Sequence, residues 1–385
     1  MDRRRTALRS LGVIFAAFVL PLAVWGFSEI APALSYAAAG SAGLALGVMH
    51  LPQQESSQAG LKLYVSAPPS GSGWDIEAAP EEVQEHLPEA EPVGIESAKP
   101  SAEVLAQIPY PESQDSRDGV IEKMNFGHYE GSQYFDLDGG GQVRNCTSRS
   151  NQELYEESGK DIDFSLDYEK GEPLVLIYHT HATESFEPGD RGFYDNSFLS
   201  KTTDPAKSVI EVGNRICAEL EKAGIPYIHD TLIHDLPSYN AAYDSSRKTV
   251  KELLAEYPSV RIVLDIHRDA IQRQDGTRLM PVTEVDGREA AQIMIISGCD
   301  DGTMGMPEHI KNFHFACALQ SRFESSYEGI TRPILFDYRH YNQDLTTGSL
   351  LIEVGSHGNS LEQAFYSGEL IGRTLAELIS EGNAG

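Results

Sequence analysis

From Pro173 to the C-terminus, short apolar runs alternate with stretches of helical period. "LVLIY", "IPYIHD", "VRIVLDIH", "AAQIMIISG" and "SLLIEVG" read as strands, five to nine mostly apolar residues each, rich in β-branched side chains. Between them, "SVIEVGNRICAELEKAG", "SSRKTVKELLAEY", "HIKNFHFACALQSRFE" and "SLEQAFYSGELIGRTLAELIS" carry apolar residues at three- and four-residue spacing and read as amphipathic helices. Gly224 and Gly382 fit helix C-terminal signals. Buried strands alternating with helices predict an α/β fold with a central, mostly parallel sheet flanked by helices on both faces, over residues 171–385.

Ahead of this block the pattern weakens. Residues 119–170 hold short alternating pieces, "YFDLD" and "QVRNCTS", parted by three glycines, and read as a small strand-containing lead-in. Residues 35–118 are rich in Pro, Ser, Ala and Glu, with too few large apolar side chains to offset chain entropy; they read as a flexible, acidic, disordered linker. Before it stand seventeen uncharged, mostly apolar residues, "LGVIFAAFVLPLAVWGF", preceded by "MDRRRTALRS" with its four arginines. This predicts a transmembrane helix over residues 11–34, with residues 1–10 cytoplasmic and the rest outside the cell membrane. A cleaved signal peptide ending near "AAAG" is the rival reading, and it too places the bulk of the chain outside.

Charge narrows the function classes. Thirty Lys and Arg against 58 Asp and Glu give a net charge of −28, which sets nucleic acid aside, since phosphate binding needs clustered cations. Cys146, Cys217, Cys299 and Cys317 stand far apart without a C-x-x-C pair, so a zinc knuckle is not indicated.

The chemistry concentrates where the predicted strands end. His179 and His181 follow "LVLIY", His267 closes "VRIVLDIH", and Glu353 lies late in "SLLIEVG". In open parallel sheets the C-terminal strand ends line one crevice, so three strands deliver imidazoles and a carboxylate to a common edge. Histidine and carboxylate are the ligands of catalytic zinc, which leaves a fourth position for water. His179 and His181 face the same way if the strand continues through them, and part if it turns after Tyr178. Asp265 is placed to orient His267, and Arg268 to pair with Asp269. His229 and His234 read as structural or solvent-facing, and Ser356 in "EVGSHGN" does not fit the G-x-S-x-G elbow of a serine hydrolase.

These motifs, "VLIYHTHATESF", "HDLPSYNAAYDSSRKTV", "VLDIHRDA", "AAQIMIISG" and "HYNQDLTTGSLLIEVGSHGNSLEQA", resemble in order those of the stage II sporulation protein P family of membrane-anchored peptidoglycan hydrolases. The resemblance implies a Zn2+-dependent N-acetylmuramoyl-L-alanine amidase fold and cleavage of the amide between the muramic lactyl group and L-alanine, with cross-link cleavage also ascribed to the family. It implies wall remodelling during engulfment, beside a lytic transglycosylase and a polytopic membrane protein. It assigns Glu353 as catalytic acid/base and His267 as a metal ligand, and alignment with the broader amidase motif puts His181, rather than His179, at the other histidine position. The third ligand departs from that motif: Glu184 is the nearest acid, with Asp204 and Glu187 as alternatives. His179, Asp265 and Arg268 are left as supporting or substrate-facing groups. A wall-binding scaffold that has kept the fold without activity is the competing expectation.

Overall fold

The computed structural model describes residues 93–382. The expected transmembrane helix lies outside them, and no helix among the described residues is long and apolar enough to cross a membrane.

A mixed α/β core is built on a nine-stranded sheet. Its strands, in spatial order, are β1 (Gly94–Glu96), β7 (Tyr227–His229), β5 (Val175–Tyr178), β8 (Ile262–Asp269), β13 (Gly348–Ser356), β11 (Ile293–Gly298), β12 (Ile334–Asp337), β4 (Gln142–Asn145) and β3 (Tyr134–Asp136). Neighbours run parallel from β1 to β13; β11 turns antiparallel to β13, β12 and β4 follow β11 in parallel, and β3 reverses again. A four-stranded sheet, β10 (Arg288–Ala291), β9 (Arg278–Val285), β2 (Gly119–Met124) and β6 (Phe193–Tyr194), stands beside it.

Side-chain alternation along the strands decides the layers. Ile262, Leu264 and Ile266 of β8 point to one face with Val175 and Ile177, under α3 (Val209–Lys222), α5 (His309–Ser326) and α6 (Leu361–Gly382). Val263, Leu176, Tyr178 and Ile228 point to the other, where Val250 of α4 (Ala242–Glu256) covers them. Ser208 caps α3 by accepting the Ile210 N–H at 3.2 Å, and Gly224, at φ +72°, takes the chain out of it. Two glycines one turn apart on α6 bring it onto α3: a Cβ at Gly368 would sit 2.8 Å from the Val212 carbonyl oxygen, and one at Gly372 2.7 Å from that of Ile216.

Two expectations change here. The linker does not remain free up to residue 118, because β1 pairs with β7 at the sheet edge and a short helix, α1 (Ala102–Leu105), follows. The Ile108 N–H then binds Thr203 Oγ1 at 2.9 Å and the Tyr110 hydroxyl binds the Phe186 carbonyl at 3.0 Å. Backbone pairing and single anchors hold this segment where composition predicted none. Nor are residues 119–170 a separate lead-in: β3 and β4 extend the main sheet, β2 lies in the smaller one, and Leu154 of α2 (Asn151–Ser158) is buried in the common core.

Candidate active site

Strand β5 ends at Tyr178 and the chain turns, which separates the two histidines that follow. His179, fully buried, faces the α3 layer, where Nδ1 meets the Ile266 carbonyl at 3.1 Å and Nε2 meets His229 Nε2 at 3.0 Å. The contact with α3 is tight: a Cβ at Gly213 would lie 2.7 Å from His179 Nε2 and 2.5 Å from His229 Nε2. His179 therefore packs the sheet, and it does not face the crevice as a substrate-contacting group would. Burial, with His229 beside it, lowers its pKa to about 3, so it is neutral. His229 and His234 are both buried, His234 between Asp230 at 2.9 Å and Ser245 at 3.0 Å, so neither meets solvent.

His181 turns the other way. Its ring stacks on Tyr239, centroids 4.0 Å apart, and stands edge-on to Tyr243 at 5.5 Å and His267 at 5.4 Å. Nδ1 is buried without a hydrogen-bond partner; the nearest carboxylate, Asp235, is 4.0 Å away and takes the Thr183 hydroxyl. Burial and neighbouring His267 lower the His181 pKa to about 4, leaving a neutral imidazole with a free lone pair or N–H.

His267, on β8, carries carboxylates on both sides. Its Nδ1 is 3.5 Å from Glu184 Oε2, and its Nε2 is 2.9 Å from Asp265 Oδ1, within ion-pair range but off the N–H direction. Burial opposes its charge, but Asp265 and Glu184 outweigh that and hold its pKa well above the usual imidazole value. Asp265 is itself fixed, accepting the Thr180 N–H at 2.8 Å and hydroxyl at 2.7 Å. Glu184 accepts the Arg268 N–H at 3.1 Å; burial would raise its pKa, but Arg268 and His267 bring it down to about 2. Arg268 is buried and donates to the carbonyls of Ser185 at 3.1 Å and Ser200 at 2.9 Å. The expected Arg268–Asp269 side-chain pair does not form: the Asp269 carboxylate binds Arg332 Nη1 at 2.8 Å.

Glu353 sits directly beside His267, because the parallel register of β13 on β8 matches the two residues. Its Oε2 is buried without a partner. Burial first, then the charge of Asp269, raises its pKa to about 8. Of the three acids considered for the third ligand, Glu184 faces His267. Asp204 instead caps a short 3-10 turn through the Ala206 N–H at 3.0 Å, and Glu187 is buried in ion pairs with Arg191 at 2.5 Å and Arg278 at 3.1 Å. Ser356 is buried, its hydroxyl spent on the Leu279 carbonyl at 2.5 Å, which removes it as a nucleophile.

Among the described residues no three His, Cys, Asp or Glu side chains stand in ready-made metal-binding geometry. The donor set nevertheless suits a divalent zinc: an unpartnered buried His181 Nδ1, the Glu184 carboxylate against His267 Nδ1, and Asp265 behind the far nitrogen of the same ring. Sequence reasoning missed Asp235, Tyr239 and Tyr243, which wall His181; they lie inside the motif "HDLPSYNAAYD", but nothing in their residue types marks a ligand.

Residues 91–376 match the description of stage II sporulation protein P. The chain belongs to that family. It is 30% identical over 201 residues to the stage II sporulation protein P of Bacillus subtilis strain 168, a stretch covering 49% of this chain and 47% of that protein, so it spans about half the length of this family relative. Among solved structures it is similar to the N-acetylmuramoyl-L-alanine amidase AmiC2 of Nostoc punctiforme at 16% identity and a TM-score of 0.31, over 56% of this chain and 97% of that one. It is also similar to the CwlD amidase of Clostridioides difficile in complex with the GerS lipoprotein, at 14% identity and 0.33, over 54% and 95%.

Proposed function

We propose that this family member is a zinc-dependent N-acetylmuramoyl-L-alanine amidase acting on peptidoglycan, anchored in the membrane by residues 11–34, with its catalytic part outside the cytoplasm. The observation that carries the reading is a pair of buried, unpartnered polar atoms, His181 Nδ1 and Glu353 Oε2, flanking His267 at the C-terminal ends of parallel strands. Buried polar atoms without partners are costly to keep, and crevices of this kind are where ligands bind.

His181, Glu184 and His267 would hold the metal. When bound, zinc supplies acidification of a water and polarisation of the scissile carbonyl. Glu353 takes the proton of the attacking water and delivers it to the leaving amine as the C–N bond breaks. Asp265 keeps the His267 ring turned, the charges of Arg268 and His267 keep Glu184 ionised against its burial, and the backbone N–H of Arg268 holds it in place. Tyr239 and Tyr243 fix His181 and keep water from its flanks. Cross-link cleavage, and work beside a lytic transglycosylase and a polytopic membrane protein during sporulation, belong to the same proposal.

Digestion of purified peptidoglycan tests it. Wild-type protein should release new L-alanine amino termini without new reducing ends, and Glu353→Gln should not. Wall binding without release by the wild type would leave the scaffold reading standing instead.

A further inference from the structure

Beyond α4, the face of the sheet that carries Glu353 is left open. Strand alternation puts Met294 and Ile296 of β11, Leu335 of β12 and Arg144 of β4 on this side, and they floor a groove of about 450 Å³ that begins at Glu353. Tyr129 and Tyr134, stacked with centroids 5.2 Å apart, are among the residues that line it.

The lining of the groove carries more guanidinium groups than carboxylates, the acids being Asp269 and Glu353. In a chain of net charge −28, three arginines line it: Arg144, Arg332 and Arg339. Arg339 is paired to Asp337 at 3.0 Å. Arg332 is only 5% exposed, and just one of its nitrogens is engaged, Nη1 on Asp269, while Nε and Nη2 are buried without a partner. Arg144 is exposed and has no carboxylate partner among the described residues. A desolvated guanidinium edge without hydrogen bonds is costly alone, and the ligand matching its fork is a carboxylate.

We propose that this groove is a carboxylate-reading subsite, in which Arg332 and Arg144 bind two acidic groups of a peptide whose scissile end lies at Glu353. The assignment deepens the amidase reading and rests on it for the position of the scissile bond. Arg144 lies three strands from Glu353, about 14 Å at the usual strand spacing, a span that about four extended residues cover. The occupant is thus a short acidic peptide laid across the strands, with carboxylates near the cut and again some three residues on.

Binding to the full chain carrying Glu353→Gln tests this without turnover. The probes are a soluble N-acetylmuramoyl peptide with free carboxylates and the same peptide with those groups converted to carboxamides. The acid form should bind about 10- to 100-fold more tightly, the range for hydrogen bonds to charged groups. Adding Arg144→Gln should remove part of that preference and Arg332→Gln most of it. Because Arg332 is buried, its variant is scored only if its melting matches the parent; if it does not, Arg144→Gln decides. Equal affinity for the two probes, or an unchanged ratio in the variants, would overturn the proposal. If the wild type cuts neither probe yet the preference and its loss persist, the amidase reading fails and the subsite stands. Equal cutting and equal binding of both probes would do the reverse.

Discussion

At His179 and His181 the chain sends one imidazole under α3 and the next into the crevice, so substitutions at the two positions should separate stability from metal binding. His179→Ala leaves His229 and the Ile266 carbonyl unpaired in a buried layer and should cost about 1–3 kcal/mol, seen as a lower melting temperature, with zinc per folded chain unchanged. His181→Ala should lose zinc by elemental analysis while melting near the metal-free parent; zinc lost from His179→Ala instead would reverse the assignment. Glu353→Gln should keep zinc and lower kcat by roughly 10²- to 10⁴-fold, the usual worth of a general acid–base group. The raised pKa of Glu353 has a sign of its own in metal-free protein. From its ordinary 4.5 up to about 8, the unfolded chain releases a proton that the folded one keeps, so stability falls with rising pH through this window. Glu353→Gln removes that slope, and its melting advantage over wild type should grow from pH 5 to pH 8. That His267 and Glu353 share one sheet edge was legible in the sequence because each lies late in a clear apolar strand; which histidine of "HTH" stands beside them was not, since it depends on a turn at the end of β5. Arg332 carried no local signal at all, since its guanidinium is placed by Asp269 of β8, 63 residues away in sequence.

Among the elements, the five strands and four helices read as alternating periods from residue 173 on stand where the pattern put them, whereas β6, β9, β10 and β12 were not read from it. β1 was not readable: three residues in an acidic, proline-rich stretch have no periodicity, and the strand exists because β7 offers an open edge. A chain starting at Gly119 should therefore melt below one starting at Val93, since it loses the β1 pairing, the Ser97–Asp230 bond of 2.7 Å and the anchors at Ile108 and Tyr110. Equal melting of the two would show that this segment adds nothing. Gly213 offers a sharper test of the α3 contact. Alanine is the better helix former by about 1 kcal/mol, yet its methyl would press on both buried imidazoles, so Gly213→Ala should lower the melting temperature.

For the molecule as a whole, a chelator should abolish peptidoglycan cleavage and added zinc restore it, whereas insensitivity to chelation would refute the metal reading. The sheet also has a direction. β1 runs parallel to β7, β5, β8 and β13, so Gly94 stands at the pole where those strands begin, while His267 and Glu353 lie toward the pole where they end. A handle fused ahead of Val93, whether a bead, a surface or a dye, would thus grip the molecule from behind and leave its mouth unobstructed.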